Sequence, residues 1–474
     1  MQLSRLISGI PLQRYGMREA EVQSIEFDSR KVKPGALYVA IAGARYDGHD
    51  FVDDAENAGA VAVIVQRKVA TDLPQIVVEN PREVLAIIGA RFYGEFDELT
   101  KIGVTGTNGK TTTTFLVHSI LAQAGRRPGL IGTVYYLGAT REKATRTTPE
   151  LLDIYKIFKR FTEHSIDCAV MEVSSHALKL KRVEGIRFDV AVFTNISQDH
   201  LDFHVTMEDY LRSKLHLFSL LGSEGYAVYN RDDESSIMIE AMPLANKVSY
   251  GRNGGNDIDG RIIEQSLDGL RIEVRRGTEK FEVRSPLIGD FNLHNILAAI
   301  SVGVALDVDT EMIIRGIEKM EKVPGRMECV VDRIFVDYAH TPAAVEKLLR
   351  AFRKYTSGKL IIVFGCGGDR DRDKRPKMGA VASSLADEVI VTSDNPRGEP
   401  PGQIIADILR GMPGNNHVVI EDRAAAIRRA ITSRREKDIV IIAGKGHEEY
   451  QIVNDEVIEF SDSAEIRKCF ANLR

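Results

Sequence analysis

The residue types best suited to chemistry stand in GVTGTNGKTTTT, residues 103–114. The strand-like KIGVTG runs into the glycine-rich TNGK and then into a helix start. In that order, backbone N–H groups and a helix N-terminus face one anion. Gly106, Thr107, Asn108, Gly109, Lys110, Thr111 and Thr112 therefore form a candidate loop for the phosphates of ATP. Lys110 would reach the β and γ phosphates, and the Thr111 hydroxyl would face Mg²⁺. The strict spacing G-x-x-x-x-G-K-[ST] is not met, because Val104 occupies the place of its first glycine, so the loop is a variant.

A phosphate loop alone does not identify a reaction. Two further strand-like runs, CAVMEV (168–173) and VAVFTNI (190–196), end in the polar clusters SSH and SQDHLDFH. Carboxyl ends of parallel strands form the edge where open α/β sheets bind ligands. Glu172 and His200 can thus reach the same edge as Lys110 and complete an oxygen- and imidazole-containing Mg²⁺ site. Taken singly, each would be read as a hydrogen-bonded loop residue. Their shared position at strand ends favours the metal.

Short β-branched runs alternate with helical stretches along the whole chain, the pattern of α/β sheets covered by helices. At 474 residues the chain exceeds what one core can fill, and three domains are expected. The first, 1–97, contains ALYVAI and VAVIVQ and holds no catalytic signature of its own. The second, 98–323, is built on a parallel sheet around the phosphate loop. The third, 324–474, has five strand candidates (IFVDYA, LIIVFG, EVIVTS, HVVIE and DIVIIAG) and reads as a second, Rossmann-like doubly wound sheet.

A composition of 43% hydrophobic and 28% charged residues is ordinary for globular domains, which argues against disorder. The net charge of −5 is intermixed, so no broad positive field gathers nucleic acid or an anionic membrane. Four cysteines without a C-x-x-C pair argue against a disulfide framework or zinc site and for reduced thiols. No run resembles a signal peptide or membrane span. A cytoplasmic protein fits these features, and the chain is expected to be a monomer.

The motifs GVTGTNGKTT, MEVSSHAL, FTNISQDHLDFH, GDFNLHN, PGRME, VDYAHTP and AGKGHE occur in this order. Together they resemble the Mur ligase family of bacterial cell-wall synthesis, and most closely the members adding the third residue of the peptide stem. DSRKVKPGALYVAIAG is similar, less specifically, to the uridine-nucleotide-binding domain of those members. The resemblance gives Lys110 to the ATP phosphates, and Asn295, Arg326, Asp337 and His340 to the nucleotide. It gives Thr111, Glu172 and His200 to magnesium. Lys214 in YLRSKLHLF matches a lysine that the family carries carbamylated; from the residues alone it would be a solvated helix position. Ser29, Thr147, Thr148, Ser174 and Arg182 match contacts to a UDP-muramoyl dipeptide. Leu180 departs from the glutamine that many members carry two residues before the arginine, so one substrate hydrogen bond is expected to be either missing or supplied elsewhere.

The resemblance also points to the amino acid. SDNPRGEPP is similar to a motif of members that add meso-diaminopimelate, with Asp394, Asn395 and Arg397 at its centre. Diaminopimelate carries a second α-carboxylate where lysine has only an ammonium, and a guanidinium matches a carboxylate with two parallel hydrogen bonds. Arg370 in GCGGDRDRDKRP matches a second arginine for that end, and Gly444 with Glu448 matches the ammonium contacts. Without the resemblance, DRDRDKR reads as a solvated charged loop and DNPR as a turn. The implied reaction is ATP-dependent amide formation through an acyl phosphate, completed when the third domain closes over the second. Alternatives are the lysine-adding relative, another ligase of the superfamily, or a P-loop NTPase switch that makes no product.

Overall fold

The computed structural model describes residues 1–16, 18–43, 46–454 and 456–472, with the side chains of Asp202 and Asn472 set aside. The chain divides into two compact units, Met1–Asp257 with Ala298–Ile313, and Ile258–Leu297 with Ile314–Arg474.

The first unit holds two sheets. The smaller is formed by β1 (Gln13–Tyr15), β2 (Ser24–Glu26), β3 (Ala36–Val39), β4 (Ala62–Val65) and β5 (Gln75–Val77), in the order β1-β5-β4-β3-β2. Neighbours are parallel except for β1 against β5. β3 and β4 are buried along their whole length, as all-apolar runs covered on both faces must be. The helix Pro81–Tyr93 opens with an Asn80 cap that accepts from the Arg82 N–H, and with Pro81 in its first turn. It buries Val84, Leu85 and Ile88 and stacks Tyr93 on Tyr155 of the helix Leu151–Glu163.

The larger sheet of this unit comprises β6 (Thr100–Thr105), β7 (Pro128–Ile131), β8 (Tyr135–Leu137), β9 (Arg141–Lys143), β10 (Cys168–Glu172), β11 (Phe188–Phe193), β12 (Leu221–Asn230) and β13 (Asn246–Gly251). Their order is β13-β12-β11-β6-β10-β7-β8-β9. β6 lies between β10 and β11 and is parallel to both. The register sets Glu172 beside Val104 and Phe193 beside Thr105. Three strands therefore release their chains at one edge, on either side of the strand that feeds the phosphate loop. That is where open α/β sheets bind ligands.

The second unit starts with an antiparallel meander, β14 (Ile258–Ser266), β15 (Gly269–Arg276) and β16 (Glu279–Ser285). Its main sheet is β17 (Glu328–Val331), β18 (Ile334–Asp337), β19 (Leu360–Phe364), β20 (Glu388–Val391), β21 (His417–Val419) and β22 (Ile439–Ala443), ordered β17-β18-β22-β19-β20-β21. The five strands expected from the sequence are parallel neighbours, and β17 adds an antiparallel edge that was not anticipated. Strand alternation explains the double covering. Leu360, Ile362 and Phe364 enter one core with Leu348 and Ile408, while Ile361 and Val363 enter another with Ile427 and Ile431. A hairpin of β23 (Tyr450–Val453) and β24 (Glu456–Glu459) follows. Among the described residues no helix is long and apolar enough to cross a membrane.

Candidate active site

Gly106 leaves β6 with φ +146°, and a Cβ there would sit 1.8 Å from the Thr194 hydroxyl, so only glycine fits. The loop is laced to the end of β11. Asn108 N–H donates to Asn195 Oδ1 (3.0 Å), Thr194 Oγ1 donates to Asn108 O (2.6 Å), and Ser197 N–H donates to Thr107 Oγ1 (3.0 Å). The helix Lys110–Gln123 then begins, with Gly109 at its N-cap in the left-handed region. The Lys110 ammonium folds back over the loop, donating to Gly106 O (2.8 Å) and Thr107 O (3.0 Å).

Glu172, 1% exposed at the end of β10, is the hub. Its carboxylate accepts from Thr111 Oγ1 (3.0 Å), Thr133 N–H (2.7 Å) and Thr133 Oγ1 (3.1 Å). The Thr133 and Thr147 hydroxyls lie 3.1 Å apart, and Thr148 Oγ1 donates to Glu172 O (2.9 Å) while accepting from Ser174 N–H (3.0 Å). Arg182 leans on the same loop through Thr148 O (3.5 Å) and pairs with Glu150 (2.9 Å). Arg146 (2.6 Å) and Arg82 (3.8 Å) approach the same Glu150 carboxylate. Arg82 also donates to the carbonyl of Leu180 (3.1 Å), at the departure from the glutamine pattern. Ser29 lies in a short turn whose Lys31 reaches Asp153 (3.9 Å), in the helix that follows Thr147 and Thr148.

His200 takes φ +52° and brings its ring to 4.7 Å from His176 and 6.2 Å from Tyr210. The Tyr210 hydroxyl pairs with Thr107 Oγ1 (3.1 Å), and its ring lies 4.3 Å from the Lys214 Nζ. Lys214 is 1% exposed, which corrects the solvated position expected from the residues alone. The helix Met207–Ser219 turns Tyr210, Lys214, Leu217 and Phe218 inward, at helical spacings of three and four. Burial holds the Lys214 amine well below the ordinary lysine range, the Lys110 charge acts in the same sense, and Asp199 opposes them. Among the described residues no three His, Cys, Asp or Glu side chains gather into a metal cage.

In the second unit, Asn295 donates to Asn292 (2.7 Å), and the Arg326 guanidinium lies 4.8 Å from the centre of the Tyr338 ring. Asp337 ends β18 and accepts from Met327 N–H (2.7 Å) and Ala339 N–H (2.8 Å). Burial raises its carboxyl above the usual range against the pull of Arg326 and those two donors. Burial also lowers His340, whose Nδ1 lies 2.8 Å from Tyr338 O.

A second group forms where β19, β20 and β22 end. Arg397, at φ +52°, donates to Gly368 O (2.9 Å), which draws the DNPR turn against the GCGGDR loop. A Cβ on Gly368 would lie 1.8 Å from Pro396 O, so the two loops meet backbone to backbone. Arg370 is exposed on that loop. Asn395 donates to Glu448 Oε2 (2.9 Å), and a Cβ on Gly444 would lie 2.7 Å from Asp394 Oδ2. The DRDRDKR stretch is only partly the solvated loop its charges suggest. Arg375 is fully buried, with both terminal nitrogens on Glu399 (3.0 and 2.8 Å) and one on Asp407 (2.9 Å). The Arg375 guanidinium is the main reason that the Glu399 carboxyl is lowered to about 2.

Three family profiles match the chain: Mur ligase family, catalytic domain, over 21–93; Mur ligase middle domain over 104–303; and Mur ligase, glutamate ligase domain, over 325–446. The chain belongs to the Mur ligase family. A Bacillus velezensis protein named UDP-N-acetylmuramoyl-L-alanyl-D-glutamate–2,6-diaminopimelate ligase is 42% identical, covering 98% of this chain and 97% of its own. A Solibacter usitatus protein of the same name is 44% identical, covering 99% and 98%. A solved structure with that name superposes with TM-score 0.70 at 33% identity, covering 95% of both chains. A Thermotoga maritima MurF ligase in complex with ADP shares the fold at 21% identity, with TM-score 0.65.

Within this Mur ligase, each unit brings part of its expected residues together. Thr111, Glu172, Thr147, Thr148 and Ser174 form one hydrogen-bonded set, and His200 and Lys214 both lie against Tyr210. Asn395, Arg397 and Glu448 form another. Sequence reasoning missed Thr133, Tyr210, Arg82 and Arg375. Tyr210 sits one helical turn before Lys214, a spacing that could have exposed it. Thr133 had no such signal.

Proposed function

We propose that this chain adds 2,6-diaminopimelate to the D-glutamate carboxylate of UDP-N-acetylmuramoyl-L-alanyl-D-glutamate, consuming ATP through an acyl phosphate. The observation that carries this is Glu172. One buried carboxylate holds Thr111 of the phosphate loop while its backbone and neighbours hold Thr147 and Thr148, so the nucleotide and acceptor ends share one anchor. The full-length likeness to ligases of that name supports the choice of substrates.

A carboxylate resists attack by an amine because it is anionic and its oxygen leaves poorly. Lys110 and the loop N–H groups bind the phosphates of ATP and orient the γ-phosphoryl toward the dipeptide carboxylate. Ser29, Thr147, Thr148, Ser174 and Arg182 hold that acceptor. The carboxylate oxygen bonds to the γ-phosphorus as ADP leaves; the neutral diaminopimelate amine then attacks the acyl carbon, the C–O bond breaks so that phosphate leaves with that oxygen, and the nitrogen gives up a proton as the amide forms. Asn295, Arg326, Asp337 and His340 hold the nucleotide in this reading. Arg397 and Arg370 receive the far carboxylate of diaminopimelate, Gly444 and Glu448 receive its ammonium, and Asp394 and Asn395 belong to the same site.

Thr111, Glu172 and His200 offer the oxygen and imidazole donors that suit Mg²⁺, and the Thr111–Glu172 contact already gathers two of them. Magnesium, when bound, screens charge on the phosphates. Lys214 would join that set as a carbamate: its neutral amine bonds to the carbon of CO₂ and releases a proton, which turns a neutral group into an anion. The lowered Lys214 supports this, since only the neutral amine is nucleophilic. The boundaries 1–97, 98–323 and 324–474 accommodate the three matched segments. Its unpaired thiols support a cytoplasmic protein, which we read as a monomer.

Mass analysis of product tests the proposal. With ATP, Mg²⁺, the UDP-muramoyl dipeptide and either diaminopimelate or lysine, the diaminopimelate adduct is expected to dominate. A lysine adduct of equal yield, or no adduct, would refute it.

A further inference from the structure

Lys445 lies in the AGKGHE turn after β22 and is fully buried, although neither the phosphate chemistry nor the contacts assigned above use it. A buried ammonium is costly unless it is paired and hydrogen-bonded. Its partners are specific. The Nζ donates to Asn395 Oδ1 (3.0 Å) and to Glu448 Oε2 (3.1 Å), and lies 5.4 Å from the Tyr450 ring centre. Asn395 Nδ2 donates to the same Glu448 Oε2 (2.9 Å), closing a triangle of three side chains.

Asn395 extends that triangle toward the arginine. Its side-chain oxygen also accepts from Ile452 N–H (3.0 Å), and its backbone carbonyl accepts from Gly368 N–H (2.9 Å) and Arg397 Nη1 (3.4 Å). Arg397 N–H in turn donates to Ile452 O (3.0 Å). A carboxylate and a guanidinium on different loops are thus locked in register through one asparagine and one lysine.

We infer that Lys445 is a positioning residue for amino-acid selection: it fixes the spacing between Glu448, which reads an ammonium, and Arg397, which reads a carboxylate. This rests on the proposed assignment of Glu448 and Arg397 to the far end of diaminopimelate. That end carries both charges on one carbon, so selection depends on the separation of the two readers, whereas lysine presents only the ammonium. Methionine at 445 would keep the volume and the apolar contacts but release Asn395 and Glu448.

Steady-state kinetics of the full chain test this with Lys445→Met, Glu448→Gln and the double variant, varying diaminopimelate, ATP and the UDP-muramoyl dipeptide in turn. Lys445→Met is expected to raise KM for diaminopimelate roughly tenfold, the scale of a lost charge-assisted hydrogen bond, while kcat and the other two KM values change far less. Because Lys445 acts through Glu448, the double variant is expected to be no worse than Glu448→Gln. An unchanged KM for diaminopimelate in Lys445→Met, equal changes for all three substrates, or losses that multiply in the double variant would overturn the inference. If Glu448→Gln itself leaves that KM unchanged, the assignment of Glu448 is what fails. Should Lys445→Met not fold, Lys445→Gln, polar but uncharged, is expected to shift the same KM in the same direction, and no shift would overturn the inference.

Discussion

Lys214 and Arg375 show how two buried basic side chains can hold opposite states in one chain. Both are buried, but Arg375 is met by Glu399 and Asp407, whereas Lys214 is met by an aromatic ring and a second lysine's field. The first remains a cation and the second is pushed toward its neutral amine. Withdrawing carbon dioxide and bicarbonate is therefore expected to depress activity, and restoring them to recover it, with intact-protein mass showing one added CO₂. Activity indifferent to this treatment would contradict carbamylation. Glu399 gives a pH prediction. Its carboxyl is lowered from 4.5 to about 2, so its stabilisation is present above pH 4.5 and is lost as pH falls toward 2. Glu399→Gln is expected to cost on the order of 3 kcal/mol near neutral pH, with the gap to the parent closing in that acid window by chemical denaturation. Arg397→Ala is expected to raise KM for diaminopimelate roughly ten- to hundredfold, the scale of a charged bidentate contact, with little change in KM for ATP.

The elements were legible where a period or a cap announced them. The five parallel strands of the second unit are apolar runs, and Thr341 followed by Pro342 is a cap-and-proline start signal for the helix Pro342–Arg353. Strand β17, ECVV, escaped notice because a half-buried edge strand lacks a continuous apolar signal. The phosphate loop was legible because strand, glycine and helix follow in order. Its dependence on β11 was not, since the Thr194, Asn195 and Ser197 contacts join residues nearly ninety positions apart. That dependence yields a prediction at Gly106, where a methyl would collide with the Thr194 hydroxyl in a backbone region that side chains rarely adopt. Gly106→Ala is expected to lower ATP-dependent turnover by about a hundredfold, the effect of a small displacement at a reacting centre, and to weaken nucleotide binding in a direct titration. Unchanged nucleotide affinity would contradict the loop's role.

Across the whole molecule, the sequence carried the class of reaction further than the arrangement of its parts. Seven ordered motifs pointed to the Mur ligases, and relatives matched over nearly the whole length agree. Leu180 departs from the family pattern within its own motif; the nearby Arg82, on the helix Pro81–Tyr93, is invisible in the sequence because its contact spans 98 positions. A ligase and a nucleotide switch differ in the phosphate they release. A switch would hydrolyse ATP without regard to amino acid, whereas an acyl phosphate passes an acceptor oxygen to the released phosphate. The most direct measurement uses the UDP-muramoyl dipeptide with heavy oxygen in its D-glutamate side-chain carboxylate, and mass analysis of the inorganic phosphate. One labelled oxygen per phosphate, released only when both dipeptide and diaminopimelate are present, is the expected result. Unlabelled phosphate, or release independent of the amino acid, would contradict it.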